Sequence, residues 1–295
     1  MQTIEFEPMS VGRILDRAFA IYRNNFLRFV TIVAIIEVPL ALLAIVSSSW
    51  TQTKAAARQP ATFERALPSE EPRAPARRYD PSSETPSILG LVGMVVGTVL
   101  RLVGSMLCQA ALIKNVSEVY LGHEITVGDA YRFALPKALT LLLAAICVGF
   151  VVGLGFLLLI VPGVIFALWF ALTTPAIVVE GHSTGSAMSR SKALVAGNLG
   201  KVFAVGFLTT LLFYPVWLPL NYLFVFVGRA LAPDSATLVL FMRYFASTIS
   251  QILVLPISAA ATILLYYDLR IRKEGFDLQM LAQSMASGQG EVSAA

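Results

Sequence analysis

Apolar runs separated by short polar stretches dominate the chain. They fall near Phe29–Ser48, Ile88–Lys114, Ala138–Ile160, Val164–Val179, Val202–Val227 and Leu238–Tyr267. A helix rises about 1.5 Å per residue, so about 20 apolar residues cross roughly 30 Å of hydrocarbon. Lipid offers the backbone no hydrogen-bond partners, and a helix satisfies its own. The pattern therefore predicts an all-α polytopic integral membrane protein with about six transmembrane helices. Pro162-Gly163 lies between the third and fourth runs and predicts a tight hairpin there, because proline ends the ladder and glycine admits a turn.

Each pair of runs is introduced by a short amphipathic segment. In the first, Val11, Ile14, Leu15, Ala18, Phe19 and Tyr22 share one face, and Ser10 is the expected N-cap. The second opens on Thr126 with Asp129 three residues on, a capping-box pattern, and runs to Leu135 before Pro136. The third begins at Ser183 or Thr184 and carries Ala187, Met188, Ser191, Leu194 and Val195 toward Gly197. Segments of this kind lie in the membrane interface. The second, fourth and sixth runs each end toward a glycine, at Gly122, Gly181 and Gly275, a residue suited to closing a helix. The plan thus reads as three helix pairs, each led by an interfacial helix.

Composition strengthens this picture, since 57% of the residues are hydrophobic and only 14% charged. The net charge of +4 does not imply nucleic acid, because Lys and Arg cluster at the ends of apolar runs rather than in a stripe with aromatics. The positive-inside rule places both termini in the cytoplasm, with Arg13, Arg17, Arg23, Arg28, Lys114, Arg132, Lys137, Arg190, Lys192, Lys201, Arg270, Arg272 and Lys273 on that side. The acidic N-terminus lacks a basic leader region, so the first run is expected to be retained as a signal anchor in a bacterial inner membrane. Residues 49–87, rich in proline and balanced charge, are expected to form a disordered outer loop. Around it, residues 1–280 form a single membrane domain, followed by a disordered tail over 281–295. Cys108 and Cys147 lie inside apolar runs and read as small buried hydrophobes.

Charge inside the membrane is the first place to seek function, because each ionised group costs about 2.5–3.5 kcal/mol at the bilayer centre. Glu37 and Arg101 are such residues. Arg101 shares a helical stripe with Gly93, Gly97, Ser105 and Gln109, and the glycines are expected to turn that stripe into the bundle. Antiparallel neighbours would bring Glu37 and Arg101 together, either as a lock between helices or as part of a polar pathway or lipid site. Arg243, Ser247 and Gln251 repeat the spacing in the last run, where Arg243 is expected to snorkel to the outer interface. Pro39, Pro175, Pro215, Pro219 and Pro256 punctuate the spans. His123 and His182 lie beside Glu124 and Glu180, but no metal-binding spacing joins them. With no nucleophile elbow, Walker motif or dinucleotide fingerprint, neither a catalytic residue nor a cofactor is expected.

The motifs Arg17-Ala18-Phe19, Tyr22-Arg23-Asn24-Asn25-Phe26, Tyr266-Tyr267-Asp268-Leu269-Arg270 and Arg272-Lys273-Glu274-Gly275-Phe276-Asp277 carry a further likeness. Together with Leu159–Gly163, Trp169, Pro175, Glu180 and Arg190-Ser191, they resemble the membrane domain of bacterial glycerophosphoryl diester phosphodiesterases and of related stand-alone membrane proteins. In the two-part members the resemblance assigns hydrolysis to an attached soluble barrel. The chain runs only about 20 residues past the last motif, so a non-enzymatic scaffold, regulatory or lipid-interacting module is expected. A small transporter or lipid-translocating protein using the Glu37 and Arg101 region, or a membrane subunit for a separate phosphodiesterase, are the alternatives. Arg190, Asp268, Arg270, Arg272 and Lys273 are the candidate headgroup or interface residues, with Asp268 bonding Arg272 or Arg190. The partners implied are membrane lipids and other membrane or cytoplasmic proteins.

If Glu37 and Arg101 act as a pair, Glu37→Gln and Arg101→Gln each lower thermal stability in detergent, and the double variant loses less than the sum. Additive losses would show that the two residues are uncoupled.

Overall fold

The computed structural model describes residues 8–58, 88–233 and 235–274. The described chain forms α1 (Val11–Asn24), α2 (Phe26–Arg58), α3 (Ile88–Tyr120), α4 (Val127–Ala134), α5 (Ala138–Leu158), α6 (Ile160–Trp169), α7 (Thr173–Glu180), α8 (Thr184–Val195), α9 (Leu199–Leu231) and α10 (Ala236–Glu274). A 3-10 turn over Leu135–Lys137 carries α4 into α5. Six stretches are long and apolar enough to cross a membrane: α2, α3, α4 with α5, α6 with α7, α9 and α10. The protein is an all-α polytopic integral membrane protein.

The amphipathic segments form where expected, and side-chain caps close the first two. Ser10 accepts a hydrogen bond from the Arg13 backbone at 3.3 Å. Thr126 and Asp129 close a reciprocal capping box on α4. Ser183 stands at the N-cap of α8. Gly122, Gly181 and Gly197 take positive φ, which L side chains resist and glycine does not. Gly275 lies outside the described residues, as do most of the 49–87 loop and the whole 281–295 tail. The part of the loop that is described is helical, because α2 continues to Arg58. Its last turns read Lys54-Ala55-Ala56-Ala57-Arg58, good helix formers with no proline before Pro60.

α10 is the central helix. Its segment from Ala259 to Leu269 is almost wholly buried, and it packs against α9, α2, α1 and α3. α9 also touches α1 and α6, but much of it remains open, with Phe203, Phe207, Leu211, Tyr214, Tyr222 and Phe226 exposed. Exposed apolar surface is what lipid-facing helices require. Pro39, Pro215, Pro219 and Pro256 sit inside continuous helices.

The hairpin between α5 and α6 differs from the expected one. Its turn residue is Leu159, in an extended conformation (φ −163°, ψ 154°), while Pro162 and Gly163 already belong to the first turn of α6. Proline is tolerated there because the first-turn N–H has no helical partner. Gly163 serves close approach instead: a Cβ on it would meet the Phe156 ring at 2.5 Å. A Cβ on Gly155 would meet the Gly163 backbone at 2.9 Å. The fourth span is also not one helix. Residues 170–172 break it, and Pro175 sits in the first turn of α7.

Two packing expectations change as well. Gly93 and Gly97 face open space, so these two glycines make no close helix contact, although Arg101 farther along the same stripe lines a crevice between helices. The close approach of α3 to α2 is made by Gly104, where a Cβ would meet Leu40 at 2.8 Å. Cys108 is buried as expected, whereas Cys147 is exposed on α5.

Gly155→Ala should lower thermal stability by about 1–3 kcal/mol through overpacking. Gly149→Ala and Gly153→Ala on the same helix, both facing open space, should be close to neutral. Equal effects in a detergent melting series would contradict the hairpin contact.

Candidate functional site

Polar chemistry concentrates in two places: the end of the bundle that carries α1, α4 and α8, and a crevice within the membrane. At the first, Asp268 has no exposed surface although it is charged. Its carboxylate accepts from the Met9 backbone N–H at 2.6 Å, from Arg272 Nε at 3.1 Å and from the Lys201 ammonium. Lys201 and Arg272 also donate to the Met9 carbonyl, at 2.6 and 3.1 Å. The segment before α1, the start of α9 and the end of α10 thus meet on one carboxylate. A buried charge is tolerated only with such partners.

A second network lies beside it. Arg190 of α8 grips Glu180 of α7 in two-pronged fashion, Nε at 2.8 Å and Nη2 at 2.9 Å, the geometry that guanidinium and carboxylate favour. The same guanidinium donates to Glu274, through Nη2 at 2.8 Å. Arg270 lies 3.3 Å from both carboxylates, and the Tyr266 hydroxyl donates to Glu180. His182 completes the set at 2.7 Å from Glu180. Hydrogen bonds to Glu274 and Glu180 raise the Arg190 guanidinium above its ordinary pKa and hold it charged.

The candidate headgroup residues therefore come together, but as partners of protein groups. Asp268 bonds Arg272 and not Arg190, whose carboxylates are Glu180 and Glu274. Lys273 donates to the carbonyls of Ala193 and Ala196 at 2.5 and 2.6 Å, closing the C-terminus of α8. Lys137 does the same for α7, reaching Ile177 and Val178 carbonyls at 3.0 and 3.1 Å. Sequence reasoning named Lys201 only as a cytoplasmic-side cation and Glu274 only within a motif, and it missed Ser117, whose hydroxyl lies 2.6 Å from the Tyr267 hydroxyl. Their only sequence signal is a polar residue near the end of an apolar run. The two histidines stay apart, His123 bonding Glu118 at 3.0 Å.

Glu37 and Arg101 line one crevice, formed with Leu40, Ala41 and Ala44 of α2 and Tyr244, Ser247, Thr248 and Gln251 of α10. Glu37 is 7% exposed. Arg243 is exposed near the start of α10, while Ser247 and Gln251, one and two turns on, face the crevice.

Asp268→Ala should cost about 3 kcal/mol or more, because it strands Lys201 in a largely buried position. Arg272→Ala, whose side chain is 38% exposed, should cost about 1 kcal/mol or less. Chemical denaturation of the detergent-solubilised protein would check the ranking.

Comparison with known proteins agrees with the membrane fold. Over 103 residues, 35% of this chain and 41% of the relative, it is 31% identical to a UPF0259 membrane protein of Pectobacterium carotovorum. Over 109 residues, 37% of this chain and 44% of the relative, it is 29% identical to a UPF0259 membrane protein of Sodalis glossinidius. The matches thus span less than half the length of these curated relatives. No protein-family model matches the chain, and no solved structure matches it. Fold and relatives together make it an integral membrane protein with six candidate spans, similar in part to a bacterial family of membrane proteins.

Proposed function

We propose that this chain is a non-enzymatic, lipid-interacting scaffold of the bacterial inner membrane, with the α1, α4 and α8 end and both termini in the cytoplasm. One observation carries the reading: around the internally neutralised charge networks, α1, α4 and the adjoining ends of α2 and α5 keep a rim of apolar and basic side chains open. Phe19 and Phe26 are each 40% exposed and Leu139 is 67% exposed, beside exposed Arg23 and Arg132. Apolar groups that enter the acyl boundary next to cations that meet anionic headgroups are the requirements for lying in a membrane interface. In this reading Arg190, Asp268 and Arg270 brace the end, while Arg272 and Lys273 at its edge add to the basic rim. The resemblance to the phosphodiesterase membrane domain supports an interfacial role without a catalytic one. It also motivates the further reading, a membrane subunit for a separate phosphodiesterase. The Glu37–Arg101 crevice is what a transporter reading would use, but its free volume of about 10 Å³ admits a water and no larger substrate.

Gentle extraction followed by mass spectrometry of bound lipids and proteins tests the proposal. Anionic phospholipid should co-purify, and its amount should fall several-fold in the Arg23→Gln/Arg132→Gln variant. Equal lipid retention would rule out the basic rim as the contact, and stoichiometric recovery of a soluble hydrolase would favour the subunit reading instead.

A further inference from the structure

The crevice among α2, α3 and α10 holds a feature that the scaffold reading leaves unused. Glu37 stands eleven residues beyond Phe26, about 16 Å along α2, and so lies deep in the hydrocarbon. It is more than nine-tenths buried, lines the crevice, and accepts no hydrogen bond from any described residue. Arg101 lines the same crevice and exerts a coulombic pull on Glu37, yet no direct ion pair within 4.0 Å joins them among the described residues. The free volume of about 10 Å³ fits one water molecule.

Around Glu37 the polar groups suit both forms of a carboxyl. Thr248 commits its hydroxyl to the Tyr244 carbonyl at 2.9 Å. Gln251 directs its amide N–H toward the Ser247 carbonyl at 3.5 Å, which leaves the amide oxygen as an acceptor for a protonated Glu37. The Ser247 hydroxyl can donate to an ionised one. The other titratable or charged groups facing Glu37 are Arg101 and Cys108 of α3, Tyr131 of α4 and Tyr244 of α10. The carboxyl therefore meets a cation, Arg101, and neutral hydrogen-bonding groups, Ser247 and Gln251, in one crevice.

We propose that this crevice is an intramembrane proton-binding site, in which Glu37 takes up and releases a proton through a single water held beside Arg101. In the uptake step a hydronium or water O–H bond breaks, a carboxyl O–H bond forms on Glu37, and the donor leaves as water or hydroxide. Arg101 is a positioning residue, since its charge sets how readily Glu37 gives the proton up.

Dicyclohexylcarbodiimide, an apolar reagent that adds to protonated carboxyls within membranes, provides the test. The full-length protein in lipid nanodiscs is treated across mildly acidic to mildly alkaline pH and the adduct is mapped by mass spectrometry. Yield at Glu37 is normalised to the detergent-denatured protein at each pH. The expected result is modification of Glu37 that declines as pH rises. Arg101→Gln should move the midpoint of that decline upward by about one pH unit, and Arg101→Lys, which keeps the charge, should leave it near its original place. Glu37 left unmodified at every pH in the folded protein, or modified with no pH dependence, would overturn the site. An unmoved midpoint in a folded Arg101→Gln variant would remove Arg101 from it.

Discussion

Asp268 has no exposed surface, and its charge survives there only because three segments deliver donors to it. Met9 lies just before α1, Lys201 opens α9, and Arg272 is one turn farther along α10. The carboxylate thereby fixes where the first interfacial helix enters and where the fifth span begins. The rest of this end of the bundle follows from that junction. Tyr267, next in the chain, stacks on Tyr120 of α3 with ring centroids 5.4 Å apart, and Arg17 of α1 lies 5.0 Å over the Tyr120 ring. Hydrocarbon-facing helices have no hydrophobic drive to associate, so polar contacts at the end of the bundle carry much of its specificity.

The same logic explains why Arg190 of α8 and Arg270 of α10 are turned inward. Arg190 and Arg270 share Glu180 and Glu274, and the four residues come from three helices, α7, α8 and α10. A cation held this way is a structural group, and its neighbourhood is close to neutral. Exposed basic side chains are left to the rim, among them Arg23 of α1, Arg132 of α4, and Arg272 and Lys273 at the end of α10.

The break in the fourth span is held open by a neighbour. Ser191 of α8 accepts from the Leu172 N–H at 3.1 Å and donates to the Trp169 carbonyl at 2.6 Å. Backbone groups freed between α6 and α7 are thereby satisfied without water. Lys192 lies 4.4 Å over the Trp169 ring, adding a cation–π contact to the same junction. An interfacial helix thus does more than rest on the membrane, since it completes the backbone of a span.

Hydrophobic periodicity and helix caps were enough to determine the class of fold, the number and approximate limits of the spans, and the three interfacial helices. These are local properties: an apolar run of sufficient length must become a helix in lipid, and Ser10 or Thr126 bonds a backbone N–H three residues away. Legibility ended where partners are distant in the chain. Nothing near Asp268 announces Lys201 or Met9, and the stripe of Gly93 and Gly97 looks as suited to packing as Gly104, which is the glycine that α2 covers. Of the candidate site, the residue types were readable but their pairing was not, because Arg190 has several carboxylates within sequence reach. Only the tertiary structure brought Glu180 and Glu274 to Arg190, and Ser247 and Gln251 to Glu37 and Arg101, since which faces meet depends on how helices rotate and cross, a choice made by all their contacts together.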